Sequence, residues 1–120
     1  MAAAGSQAFV LNITANTSDY NILTQATALG YNNSIGADII VNVASGVTVS
    51  GSSTHAMQTG ELHNDTNLTI NITGSVDGYT GANGSTNTVG AVGGDAVYWE
   101  TDADGTGVYI INLTGNLRGG

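Results

Sequence analysis

The residues best equipped for chemistry are carboxylates with aromatic rings beside them. Asp77, Asp95, Glu100, Asp102 and Asp104 lie in the C-terminal half, and Tyr98 and Trp99 stand directly before Glu100. Two carboxyl groups across a groove, with a ring to stack on a sugar, are the equipment of a glycoside hydrolase. These acids cluster at turn-like positions, however, and no Ser, His and Asp form a distinguishable nucleophilic arrangement, so no residue is assigned a catalytic role and the chain is read as a non-enzyme. Asp102 and Asp104 in TDADGTG resemble part of an oxygen-ligand calcium loop, but a third ligand and a downstream Glu are missing at the required spacing, leaving a weak candidate site. His55 and His63 lie eight apart in a segment without helical spacing, which is not the metalloprotease zinc pattern. Glu61 is the nearest acid to them, and a three-fold assembly could bring either His onto its axis. No cofactor is expected.

One pattern dominates the rest of the chain. Asn71 to Gly78 reads NITGSVDG, Asn112 to Gly119 reads NLTGNLRG, and Asn42 to Gly51 reads NVASGVTVSG with small insertions. In each, aliphatic residues alternate with polar ones before a Gly, as in a strand bent where a side chain would obstruct the neighbouring backbone. Repetition of this kind marks stacked units. Stacked in register, Asn42, Asn71 and Asn112 would form an amide ladder, with Gly46, Gly74, Gly78, Gly115 and Gly119 at the turns. Ile39, Val41 and Val43 are expected inside, as are Leu68, Ile70 and Ile72. Val108 and Ile110 open the corresponding run in the last unit.

Upstream, Ala8 to Thr14 reads as a strand. Ile22, Leu23, Ala26 and Leu29 then recur at helical spacing, which predicts one helix of about ten residues capped by Thr17 or Ser18 and closed by Gly30. Residues 1–35 are thus read as an N-terminal strand and capping helix, and residues 36–120 as repeated strand units of the same single domain. Residues 79–94 form a Gly, Asn, Thr and Ser-rich loop, followed by a strand over Asp95 to Glu100. The fold class is mainly β, with parallel, solenoid-like stacking.

Composition sets the outer bounds. The 120 residues include 18 Gly, no Pro, no Cys and one basic side chain against nine acids, for a net charge of -8. A chain without Lys cannot neutralise a run of phosphates, which excludes nucleic acid and an anionic membrane face as partners. No apolar stretch is long enough to enter a bilayer as a helix. Eight sequons occur, at Asn12, Asn16, Asn32, Asn64, Asn67, Asn71, Asn83 and Asn112. Asn, aliphatic, Thr is also what a half-buried strand with an outward amide looks like, and that is the preferred reading. The start, MAAAG, lacks the charged and apolar regions of a secretory signal, so the mature chain is expected to begin near Met1.

The order YNILTQATALGY, ADIIVNVASGVTVSGSSTHAMQTG, LTINITGSVDGYTGANG, VGGDAVYWE and YIINLTGNLRGG resembles a glycine-rich module of bacteriophage tail fibre and tail-tip proteins. Tyr20-Asn21, Gly46-Val47, Thr59-Gly60, Gly93-Gly94-Asp95-Ala96 and Gly119-Gly120 match position by position over roughly residues 9 to 120. Asp95 stands where the family commonly has Pro, and the family's longer polyglycine portion is absent or lies beyond this chain. The resemblance implies a structural virion protein, commonly a homotrimer, in contact with other virion tail proteins and with a host cell-surface receptor. Tyr79, Tyr98 and Trp99 are candidate receptor or interface residues, and the loops at 50–60 and 79–94 are candidate recognition loops. Two alternatives remain: a bacterial extracellular adhesin or self-assembling surface fibre, which would require an export signal, and a fragment of a polysaccharide-degrading tailspike.

Overall fold

The structure, a computed structural model, describes residues 7–52, 55–79, 95–100 and 107–119. The chain runs through the same three-sided course repeatedly. The first pass supplies β1 (Ala8–Ile13), β2 (Thr17–Ser18), β3 (Tyr20–Asn21) and the helix α1 (Ile22–Ala28). The second supplies β4 (Asp38–Val43), β5 (Thr48–Ser50) and β6 (Met57–Gln58), and the third β7 (Asn67–Ile72), β8 (Ser75–Asp77) and β9 (Val97–Tyr98). The fourth supplies β10 (Tyr109–Leu113) and β11 (Asn116–Arg118). Strands of successive passes are neighbours in three sheets, ordered β1-β4-β7-β10, β2-β5-β8-β11 and β3-β6-β9. Every pairing is parallel.

Register places like residues over like. Leu11, Val41, Ile70 and Ile111 form one row, and Ile13, Val43, Ile72 and Leu113 another. Because side chains alternate across a strand, these rows point inward together. In the two middle passes they are fully buried, as are Val49 and Val76 from the second sheet and Met57 from the third. Full burial of such a side chain contributes about 1.5–3 kcal/mol. The fourth pass differs: Leu113 remains 50% exposed, since among the described residues no further strand lies against β10. Its inward set is Tyr109, Ile111 and Leu113, opposite Leu68, Ile70 and Ile72, so Val108 and Ile110 face outward, a choice the sequence reading left open.

Three expectations change. The helix has seven residues, and its N-cap is Asn21, whose side chain accepts from the Thr24 amide at 3.0 Å. Thr17 and Ser18 are instead committed to β2, paired with Val49 and Ser50. Leu29 is solvent-exposed, and only Ile22 and Ala26 of the helix are buried. The closing Gly30 has φ +105°, and the Gly30 and Tyr31 amides donate to the Thr27 and Ala26 carbonyls, a Schellman-type end. The strand expected over Asp95 to Glu100 is reduced to Val97–Tyr98.

The corners between the first two sheets explain the glycines. Ile13 and Thr17 pair with Val43 and Val49, so the second pass carries two extra residues there, and Gly46 turns them with φ +79°. The third and fourth passes take the tight corner through Gly74 and Gly115. A Cβ on Gly74 would strike the carbonyl oxygens of Ala44 and Val47, and one on Gly115 those of Thr73 and Gly74. Backbone lies directly on backbone at these points: the Ser75 amide donates to Val47 at 2.8 Å and the Asn116 amide to Gly74 at 2.9 Å.

Gly74→Val or Gly115→Val is therefore expected to cost about 3 kcal/mol or more, a large share of a domain's total stability, and to remove soluble protein. Gly119→Ala is the control, since a Cβ there meets nothing within 4 Å. Thermal melts of the three variants check the contrast, and a Gly115→Val melt matching that of Gly119→Ala would refute the corner-packing account.

Candidate functional site

Two surface features stand out among the described residues. The first is an amide ladder on the outer side of the first sheet. Asn12, Asn42, Asn71 and Asn112 occupy one register row. Asn42 Nδ2 donates to Asn12 Oδ1 at 3.0 Å, Asn71 Nδ2 to Asn42 Oδ1 at 2.9 Å and Asn112 Nδ2 to Asn71 Oδ1 at 2.8 Å. Asn12 is a fourth member that the sequence reading left out, because its strand carries no Gly at the following corner. Beside the ladder, Asn67 Nδ2 donates to Asp38 Oδ1 at 2.9 Å. At four sequon positions, Asn12, Asn67, Asn71 and Asn112, the side chain is thus tied into strand stacking.

The second feature is an open cleft of about 500 Å³ lined by Glu61, Tyr98, Trp99 and Glu100. It forms where the second and third passes leave the third sheet. Pairing of β6 with β9 sets Gln58 beside Tyr98, and the Thr59 amide donates to the Tyr98 carbonyl at 3.0 Å. The buried Thr59 hydroxyl then donates to the Gly60 carbonyl and accepts from the Glu100 amide, both at 2.9 Å. One hydroxyl so ties together the backbone on both sides of the cleft. Gly60, at φ +71°, is needed here because a Cβ would strike Leu23 of the helix. Thr59-Gly60, a motif of small residues in the sequence, thus ties the two passes together beside the cleft.

Tyr98 and Trp99 are 40% and 41% exposed, so neither belongs to the core. Each is braced on one side: His55 stacks on Tyr98 with centroids 4.3 Å apart and planes 6° from parallel, and Tyr109 lies 5.1 Å from Trp99. His55 Nδ1 accepts from the Asp95 amide at 3.1 Å, which makes that nitrogen a lone-pair acceptor despite the Asp95 carboxylate 3.5 Å away. His63 Nδ1 likewise accepts from the Asp65 amide at 3.1 Å. Glu61 partners neither His; it lines the cleft together with Glu100. Its grouping with the aromatics was not read from the sequence, although the Gln58 to Tyr98 register carries the signal.

Among the described residues the remaining acids do not converge. Asp77 Oδ1 and Oδ2 receive Arg118 Nε and Nη2 at 2.9 and 3.1 Å, and Asp95 lies by His55. Asp102, Asp104 and residues 80–94 lie outside the described residues. No group of three or more His, Asp or Glu among the described residues could hold a metal ion. Tyr79 is half-buried just after β8. Gly78 is buried, its amide donating to the Arg118 carbonyl at 2.7 Å. Within the loop at 50–60, the exposed Asp19 carboxylate accepts from the Ser52 hydroxyl and, at 2.9 Å, from the Ser52 amide. The hydroxyl, and then the amide, hold the Asp19 carboxyl below its ordinary range.

The family model described as Phage tail fibre adhesin Gp38 matches residues 8–120. No curated protein and no solved structure matches the chain.

Asn71 makes two ladder bonds and Asn112 one, so Asn71→Ala is expected to cost about 1–2 kcal/mol and Asn112→Ala about half that. Urea titrations measure both; equal losses would show that the amides do not act as a ladder. For Asp19, a depressed folded pKa means that its contribution is present above the ordinary aspartate value and is lost as pH falls through the folded one. Asp19→Asn, tolerated at its φ of +52°, is expected to reduce the fall in melting temperature between about pH 5 and about pH 3. An unchanged acid limb would refute this.

Proposed function

The chain belongs to the phage tail fibre adhesin Gp38 family, and from that premise we propose that it works at the host-recognition end of a tail fibre, as a scaffold that holds the receptor-contacting surface. The family match over residues 8–120 carries this reading. The three parallel sheets are the faces of a β-solenoid, a quasi-linear body suited to transmitting position along a fibre rather than to closing around a substrate. Binding, not catalysis, is its work: Glu61 is exposed and Glu100 half-buried, whereas an acid that must hold its proton near neutrality is kept in an apolar enclosure. The protein is a virion component, and Tyr98 and Trp99 are its best-placed contact residues.

Contact with other tail components is favoured at β10 and β11, which are outermost in their sheets among the described residues and where Leu113 is 50% exposed. A homotrimer would bring three such edges into one assembly, and light scattering distinguishes it from a single copy seated on a fibre.

Adsorption competition tests the function. Purified protein preincubated with host cells is expected to slow attachment of the phage that carries it, and gold-labelled antibody is expected to mark fibre ends. Labelling confined to the capsid, with no effect on attachment, would overturn the proposal.

A further inference from the structure

We propose that the cleft formed by Glu61, Tyr98, Trp99 and Glu100 receives an arginine side chain of a partner protein. It is open to solvent with a volume of about 500 Å³, room for a planar side-chain group, and among the described residues its lining combines two acids with two aromatic rings. Among the described residues, neither the Glu61 nor the Glu100 carboxylate has a hydrogen-bond or ion-pair partner. The chain cannot supply one readily, for it has a single basic side chain, and Arg118 already grips Asp77 through two hydrogen bonds. Two like charges lining one cleft repel each other, and a cation from outside removes that repulsion while gaining attraction to both.

The rings decide which cation. His55 covers one face of Tyr98 and Tyr109 braces Trp99, yet both rings retain about 40% of their surface in contact with solvent. A guanidinium is flat, weakly hydrated and able to stack on an aromatic face while its N–H groups fork to a carboxylate. An ammonium is more strongly hydrated and lacks the plane. Among the described residues a bare metal ion finds two carboxylates there and no third acid or His. A neutral sugar would stack on Trp99 but leave both charges uncompensated. The net charge of -8 also steers a basic surface toward this face and repels an acidic one.

The inference rests on the adhesin reading only in taking the partner to be a protein. Its test needs neither phage nor host, so failure here leaves adsorption competition standing, and failure there leaves the cleft chemistry standing. Trp99 is the only Trp of the chain, so its fluorescence reports on the cleft directly. A capped tripeptide with a central arginine is titrated at ~20 mM salt, where screening is weak. The control probes are the same peptide with citrulline, which has the shape without the charge, and methyl glucoside. A saturable change is expected for arginine, weakened at least about tenfold by citrulline and reduced again by salt. Glu61→Gln together with Glu100→Gln is expected to weaken arginine binding at least about tenfold with an unchanged melting temperature; if the double variant melts lower, the two single variants are read in the same way. No saturation with arginine, an equal response to citrulline, a stronger response to methyl glucoside, or unaltered binding by the glutamine variants would each overturn the proposal.

Discussion

Parallel pairing of each pass of the chain with the one before it is the constraint from which the other features follow. Once Ile39, Val41 and Val43 hydrogen-bond in register with Leu68, Ile70 and Ile72, the residues between them are forced to stack as well. A stacked position tolerates only what can bond to, or pack on, a copy of itself. Asparagine meets that demand because its amide both donates and accepts, so one residue type extends the ladder through Asn12, Asn42, Asn71 and Asn112. The corners face the same demand in steric form: where Gly115 lies on Gly74, the backbones approach too closely for a side chain.

The same constraint explains a composition in which only 8% of residues are charged. Strands in a sheet lie about 4.8 Å apart, and two like charges at that distance repel by about 1 kcal/mol even in water. A repeated Lys or Glu would incur that cost at every step, whereas an amide gains at every step. Where charges do stack, they are opposed or neutralised: Arg118 pairs with Asp77 in register, and Asp38 accepts from Asn67. The scarcity of Lys and Arg is a property of the stack, and it leaves acids away from the sheets, such as Glu61, without an internal counter-charge.

What could be read from the sequence divides along the same line. The recurrence of Asn, aliphatic, Thr and Gly at Asn71 and Asn112 is legible because the two corners are equally tight, so the pattern survives intact over 41 residues. The family likeness, drawn from the order of small-residue motifs, agrees with the family model that matches nearly the whole chain. The fourth ladder member was not legible, since the first pass turns its corner through Ala15 and Asn16, with Asn16 Oδ1 accepting from the Thr48 amide in place of a Gly contact. The helix cap was misplaced for a related reason: Thr17 and Ser18 are good caps by type, but the second sheet claims them before the helix begins. The inward face of β10 was ambiguous because Val108, Ile110 and Ile111 are all aliphatic, and only pairing with Leu68 and Ile70 decides which of them point inward.

A repeating stack also limits where recognition can arise. The Leu11, Asn12 and Ile13 rows of the first sheet present nearly the same side chain on each pass, so no point along them differs enough from its neighbours to define a ligand. Distinct chemistry must come from breaks in the repeat. The third sheet is such a break, for its described strands β6 and β9 are only two residues long. There, residues of unrelated type meet: His55 against Tyr98, and Glu61 lining one cleft with Trp99 and Glu100. The regular rows beneath hold them in place through Met57, buried and paired with Val97, and through the Thr59 hydroxyl. The regular part of the fold thus confers rigidity and the irregular part identity, and the cleft lies where the two are joined by a single buried threonine.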